Sequence, residues 1–496
     1  MNFSDAYQAL HGRFREVTIL KSAVAQLSWD QETNMPPRSA AFRGTQLAFL
    51  SGQHHRLATA PEVGRWLGIC EETGAEPGSA AETNLRGWRR DHDLAVKIPP
   101  ELVEEMARTT TAGHHAWIDA RKKSEFGIFQ PHLEKIVALC RQQADCLGWE
   151  DCRYDALLDQ FEPGVRSAEI AALFDDLGPK LASLIGPAAE RSRSTPANLL
   201  EGHYPIAVQQ QFNQEVAAAF GFDFSAGRID TSAHPFCTGL GPHDTRMTTR
   251  YDEADFLDSL SSVLHETGHG LYEQGLDSEQ WNLPAGEAVS MGIHESQSRL
   301  WENHVGRSTA FWTRWLPRAA EMFPHLARLT PEQMAAASCR VKPSFIRVEA
   351  DEVTYDQHII LRFTLERQVI SGHLAVADIP AAWNELFLKL LGMKVPDDAR
   401  GCLQDIHWSF GGFGYFATYT LGNLNASQLM ERAGGDIPDL DARLSRGDYQ
   451  PLLAFVREKV HRHGRRFQPQ ALMKLATGEP TGTRCHLEYL REKYCR

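Results

Sequence analysis

Through most of the first 220 residues of this 496-residue chain, apolar side chains return every three or four positions. That period admits little besides α-helix. The run "SDAYQALHGRFREVTILKSAVAQLSW" opens on a Ser/Asp start signal. "PPELVEEMARTTTAGHHAWIDARKKS", "FQPHLEKIVALCRQQADCLG" and "SAEIAALFDDLGPKLASLIGPAAERSR" repeat the pattern between Pro or Ser openings and Gly, Ser or charged ends. Pro36 and Pro37 break the first run, and "EETGAEPGSAAETN", residues 71–84, is a polar Gly/Pro loop. Neither break is long enough to separate domains, and no fixed period marks a solenoid.

The period changes at "GRIDTSAHPFCTGLGPHDTRMTTRY", residues 227–251, which is rich in Thr and Gly and predicts short strands joined by turns. Alternation in "DTRMTTRY" sends Asp244, Arg246, Thr248 and Arg250 to one side, and Thr245, Met247, Thr249 and Tyr251 to the other. Helices then resume to the C-terminus. A net charge of -13 and a sequence pI near 5.9 argue against a nucleic-acid partner. The one basic cluster, "VREKVHRHGRRF" at 456–467, reads as a solvated helix face. No basic leader with an apolar core opens the chain and no 18-residue apolar run occurs, so neither secretion nor a membrane span is expected. Nine scattered cysteines without a CxxC pair fit a reducing cytoplasm. The adjacent pairs His54/His55 and His114/His115 lack helical spacing and read as ordinary residues.

One later helix carries chemistry. Phe256, Leu260, Leu264 and Leu271 recur at helical spacing, with Gly275 as the expected C-cap, so "HETGH" lies within a helix. His265 and His269, at i and i+4, then stand one above the other and can share one Zn²⁺, with Glu266 beside them as general base. With 21 histidines in 496 residues, chance yields HExxH roughly 0.06 times per chain, which makes the bare motif moderately specific. Gly268 and Gly270 each cost about 1 kcal/mol inside a helix, which predicts a close neighbour there.

"GEAVSMGIHESQSRLWENH" offers a third ligand. Ala288, Met291, Glu295, Arg299 and Glu302 fall on one helical face, with Glu295 directed where the HETGH helix could meet it. Two neutral histidines and one carboxylate leave a zinc site with net charge +1 and an open coordination position. Glu295 is equally spaced to pair with Arg299 at i+4, and both relations can hold at once.

HETGH, twenty-five intervening residues and then Glu295 in "HESQ" resemble the carboxypeptidase Taq family of metallocarboxypeptidases. "WDQETNMPP" at 29–37, "DTRMT" at 244–248, "IRVEAD" at 346–351 and "GCLQDIHW" at 401–408 are similar to that family's other signatures. Thermolysin-like enzymes carry an acidic residue four positions after the ligand glutamate, where this chain has Arg299, so support for the histidines must come from elsewhere.

The resemblance implies a mainly α, zincin-like peptidase with a small β-sheet beside the HExxH helix and a deep groove. One domain over 1–496 is expected, its helical part (roughly 1–225) forming one wall and its catalytic part covering roughly 226–496. It implies one Zn²⁺ per chain on His265, His269 and Glu295, with Co²⁺ a possible substitute, and Glu266 as base. Peptides are the expected substrates, cut one residue at a time from the C-terminus with broad side-chain tolerance, by a cytoplasmic homodimer. An arginine suits a terminal carboxylate, and Arg347 and Arg246 occupy separate family motifs, Arg347 being the clearer candidate. Asp244, Thr248, His234 and Gln404 are further candidates for substrate contact. His407, Tyr415 or Tyr419 could stabilise the tetrahedral intermediate; resemblance favours Tyr419. Two other readings stay open here: an endo-acting zinc oligopeptidase, and a helical protein holding zinc structurally. The second has no need of Glu266.

Overall fold

The computed structural model describes residues 1–495, which form twenty α-helices, several 3-10 turns, one π-helical turn and three strands. The opening helix, Phe3–Thr33, starts just before Ser4 because Asn2 is its cap, accepting from the Asp5 N–H at 2.9 Å. The prolines at 36 and 37 end it, and a 3-10 turn leads into Ala40–Ala58. The polar loop is shorter than the sequence suggests. Helix runs on to Thr73 and resumes at Ala80, where the Ser79 hydroxyl accepts from the Glu82 N–H.

The Thr/Gly-rich segment forms β1 (Gly227–Thr231), β2 (Cys237–Gly241) and β3 (Asp244–Thr249) in the order β1-β3-β2. β1 runs parallel to β3, and β2 antiparallel to it. Thr245 and Met247 are buried, and the Met247 sulfur reaches Gly270 of the HETGH helix. The Thr249 hydroxyl donates to Ser262 at 3.0 Å, so the sheet lies beside that helix. Alternation fails at Thr248, which is fully buried although it follows Met247. Its oxygen accepts from the Phe236 N–H (3.0 Å) and the Ser232 hydroxyl (2.7 Å), tying the β1–β2 loop to the sheet.

The HETGH helix spans Phe256–Glu273, capped at its start by the Asp255 carboxylate. Phe256, Leu260, Leu264 and Leu271 are at most 2% exposed and share a core with Phe220, Trp301 and Trp312. Gly275 is not the C-cap. Gln274 is, and Gly275 does not adopt the left-handed conformation; a Cβ there would collide with the His461 ring. The next helix, Met291–Arg299, begins at Ser290, whose hydroxyl accepts from the Ile293 N–H. Ala288 therefore lies outside the helical face on which the sequence placed it.

That helix then loosens into a π-turn, Leu300–Gly306. The C-terminal helix Arg484–Cys495 closes over it: the Tyr489 hydroxyl (3.1 Å) and the Lys493 ammonium (2.9 Å) both donate to the Asn303 carbonyl. The basic run is not a uniform solvated helix face. Its helix ends at Lys459 and a kinked turn follows. His461 is buried against the Gln297 amide at 2.9 Å, and Arg465 pairs with Asp91 and Glu287. No helix among the described residues is long and apolar enough to cross a membrane.

Candidate active site

Glycine lets three helices approach at this site. A Cβ on Gly268 would strike the Gln297 carbonyl and come within 2.5 Å of Ser298 Cα, so the backbone of the Met291–Arg299 helix lies directly against the HETGH helix. On the other side, a Cβ on Gly422, in the Ala417–Asp436 helix, would strike the Glu295 side chain, with Glu295 Cβ 2.6 Å away. Glu295 is thereby pressed between a helix bearing two histidines and a helix bearing Tyr419. Gly422→Ala is expected to displace the Glu295 carboxylate. Overpacking of this kind costs about 1–3 kcal/mol, so urea denaturation should show that loss together with reduced metal content; an unchanged midpoint and full metal content would contradict the packing argument.

Glu295 Oε2 lies 3.6 Å from His265 Nε2 and 3.4 Å from His269 Nε2, and one ligand atom from each residue falls within 4.8 Å of the others. Around a tetrahedral cation with bonds of ~2.0–2.1 Å, neighbouring ligand atoms stand about 3.3–3.4 Å apart, so the three residues fit a divalent metal. Burial disfavours protonation of both rings. At His269 it prevails and pushes the pKa down to about 3; at His265 the Glu295 and Glu302 carboxylates override it and raise the pKa. Burial would also raise Glu295, but Arg299 and the histidines hold it well below the usual carboxylate range. Glu266 is 5% exposed, and burial pushes its carboxyl up to about 7. Its Oε2 has no hydrogen-bond partner among the described residues.

The support that the sequence left unassigned is now visible. His265 Nδ1 meets Glu302 Oε2 at 2.9 Å, and Glu302 is seven residues beyond Glu295, on the π-turn. Arg299 donates to Glu295 Oε1 (2.7 Å) and to Glu302 Oε2 (3.3 Å), while Arg307 donates to Glu302 Oε1 (2.6 Å). The arginine that departs from the thermolysin-like pattern thus bridges two buried carboxylates and offsets their charge. His269 Nδ1 faces His294 Nδ1 at 2.6 Å, and His294 Nε2 faces Glu273 Oε1 at 2.8 Å.

A second cluster adjoins the first. Arg347 is 6% exposed; its Nε and Nη2 donate to Asp405 Oδ1 (3.0 and 2.8 Å) and its Nη1 to the Tyr355 hydroxyl (2.9 Å). Three of five N–H groups are thus engaged and two are left. The Arg299 guanidinium covers the Tyr355 ring at 4.7 Å, which joins this cluster to Glu295. Tyr419 lies under Arg347 (4.9 Å), and its hydroxyl is 3.3 Å from His407 Nε2. Burial pushes the His407 pKa down to about 3, which leaves the ring neutral. Tyr415 stacks edgewise on Tyr419 at 5.4 Å.

The remaining candidates sit apart or inward. Gln404 accepts from the Arg347 N–H (2.8 Å) and donates to the Phe345 and Gly401 carbonyls. The sequence assigned Gln404 and Thr248 to substrate contact, but both are buried with their polar atoms bonded within the protein. Arg246 is doubly bonded to Asp244 (2.8 and 2.9 Å) and lies 4.3 Å over the Trp29 ring, on the face of β3 opposite Met247. "WDQETNMPP" and "DTRMT" therefore meet in space. His234 is exposed in the β1–β2 loop, its carbonyl accepting from Ser232. Sequence reasoning missed Asp405, Tyr355, Glu302, His294 and Glu273. Asp405 lay inside a quoted motif and Glu302 on a named helical face, whereas nothing local marks Tyr355 or Glu273.

Comparison with known proteins agrees with this geometry. Residues 9–494 match the carboxypeptidase Taq (M32) metallopeptidase family. The chain belongs to that family. It is 41% identical to thermostable carboxypeptidase 1 of Thermus thermophilus, over 99% of this chain and 98% of the relative. The crystal structure of the M32 carboxypeptidase from Deinococcus radiodurans superimposes with a TM-score of 0.94 at 37% identity, covering 99% of each chain. Trypanosoma cruzi metallocarboxypeptidase 1 gives 0.95 at 33% identity, over 99% of this chain and 100% of that one. The chain is accordingly a metallocarboxypeptidase, a peptide hydrolase with a mainly helical fold and a small three-stranded sheet. The structural-zinc reading falls away.

Proposed function

We propose that this enzyme releases amino acids singly from peptide C-termini, using one zinc ion held by His265, His269 and Glu295 and Glu266 as general base. The observation that carries the reading is the buried, unpartnered Glu266 Oε2 next to a ligand set with tetrahedral spacing. Zinc, when bound, supplies Lewis acidity toward the scissile carbonyl and makes water more acidic. Glu266 Oε2 takes the proton of the attacking water and hands it to the departing amine. Tyr419 and His407, whose polar atoms lie 3.3 Å apart, donate to the oxygen that becomes negative. Arg347 uses its two remaining N–H groups to grip the terminal carboxylate, while Asp405 fixes its plane. Arg246, held by Asp244 and lying over Trp29, offers the substrate a second positive charge.

The same reading includes broad side-chain tolerance, a homodimer, one continuous peptidase domain and a cytoplasmic setting, the last supported by nine free cysteines. Its test is metal analysis with product mapping on a peptide carrying either a free or an amidated C-terminus. We expect one zinc per chain, loss of activity on chelation, recovery with Zn²⁺ or Co²⁺, and stepwise shortening of the free peptide only. Equal cleavage of the amidated peptide, or internal fragments ahead of single amino acids, would favour endo cleavage instead.

A further inference from the structure

We infer that Glu273 is a positioning residue for the metal site, acting on His269 through the ring of His294. The inference rests on the reading that His269 is a metal ligand. To offer the Nε2 lone pair to a cation, His269 must carry its proton on Nδ1. That nitrogen lies 2.6 Å from His294 Nδ1, close enough for one shared proton and too close for two protons or two lone pairs. His269 is therefore the donor and His294 Nδ1 the acceptor. The His294 proton is then forced onto Nε2, which donates to Glu273 Oε1 at 2.8 Å. A carboxylate two groups away thus selects the tautomer that leaves His269 Nε2 bare.

The placement follows from helix geometry. His269 and Glu273 are i and i+4 on one helix, so both face the same way, and His294 enters between them from the neighbouring helix. His294 immediately precedes Glu295, so one helix delivers a carboxylate to the ligand side of His269 and an imidazole to its back. The two histidine ligands are supported differently: His265 by a carboxylate in direct contact, His269 by a carboxylate with a ring interposed. Glu273 is itself confined. A Cβ on Gly239 of β2 would strike its Oε2. Burial would raise its pKa, yet the hydrogen bond from His294 keeps it lowered.

The test is Zn²⁺ affinity by chelator competition on the full-length protein. Outer partners of metal-bound histidines typically contribute 10–100-fold in affinity, and Glu273→Leu should lose about that much. Glu273→Gln retains an accepting oxygen and should fall between leucine and wild type. Gly239→Ala, which pushes the same carboxylate away without altering its charge, should weaken Zn²⁺ in the same direction and serves if the leucine variant folds poorly. In Zn²⁺-loaded wild type, ¹⁵N resonances should place the His294 proton on Nε2, a readout that a bond merely joining two helices would not fix. Wild-type affinity in a folded Glu273→Leu protein, or a His294 proton on Nδ1, would overturn the inference. If His269→Ala binds Zn²⁺ as wild type does, the ligand assignment itself fails and the inference falls with it.

Discussion

Glu266→Gln is expected to lower kcat by about 10²–10⁴-fold, the usual contribution of a positioned general base, while metal content stays at the wild-type level. The two side chains are nearly isosteric, so packing around the buried residue survives. An amide oxygen cannot take up and return a proton, whereas a carboxyl that burial has pushed up to about 7 is poised to do both near neutral pH. Glu266 lies next to His265 in sequence but is not among the three candidate ligands, which is why metal binding and turnover should separate. Turnover and metal content measured on one preparation decide the matter. Near-normal turnover would remove Glu266 from the base role, and loss of metal would place it in the ligand set.

Arg347→Ala is expected to cut kcat/KM on a free peptide by about 30-fold or more, because loss of a charged partner in a buried site costs ~2–5 kcal/mol. The substitution also strips Asp405 and the Tyr355 hydroxyl of a partner, so lost activity alone would not separate substrate recognition from disturbed structure. The ratio of free to amidated peptide does. Damage to the site lowers both rates together, while loss of carboxylate recognition lowers only the first. A ratio unchanged from wild type would show that Arg347 holds the site together without reading the terminus.

The helical class, the position of the sheet and the three candidate ligands were legible because each depends on local periodicity or fixed spacing. His265 and His269 share a face by helix geometry alone, and Glu295 lies on the next α-helix, at a fixed spacing from them in the sequence. What the sequence concealed depends on contacts between distant segments. Glu302 shares a predicted helical face with Glu295, but no period announces the π-turn, Leu300–Gly306, on which it meets His265. Gly268 predicted a close neighbour, and the Gln297–Ser298 backbone is that neighbour. Gly422 carried an equally informative absence of side chain, but nothing in its local pattern tied it to Glu295. Thr248 and Gln404, which their motifs suggest as substrate contacts, are buried, and their polar atoms bond the β1–β2 loop and the Arg347 N–H.

The clamp on the π-turn has a consequence for biosynthesis. The Asn303 carbonyl waits for a hydroxyl 186 residues later in the chain. At ~5–20 residues per second on a ribosome, that separation corresponds to roughly 10–40 s. His265, His269 and Glu295 have all been synthesised before that interval begins, so a nascent chain possesses its candidate ligands well before Tyr489 and Lys493 arrive to secure the turn that carries Glu302. The order of translation thus separates making the ligands from fixing them, and the helix Arg484–Cys495 completes a support begun some 190 residues earlier.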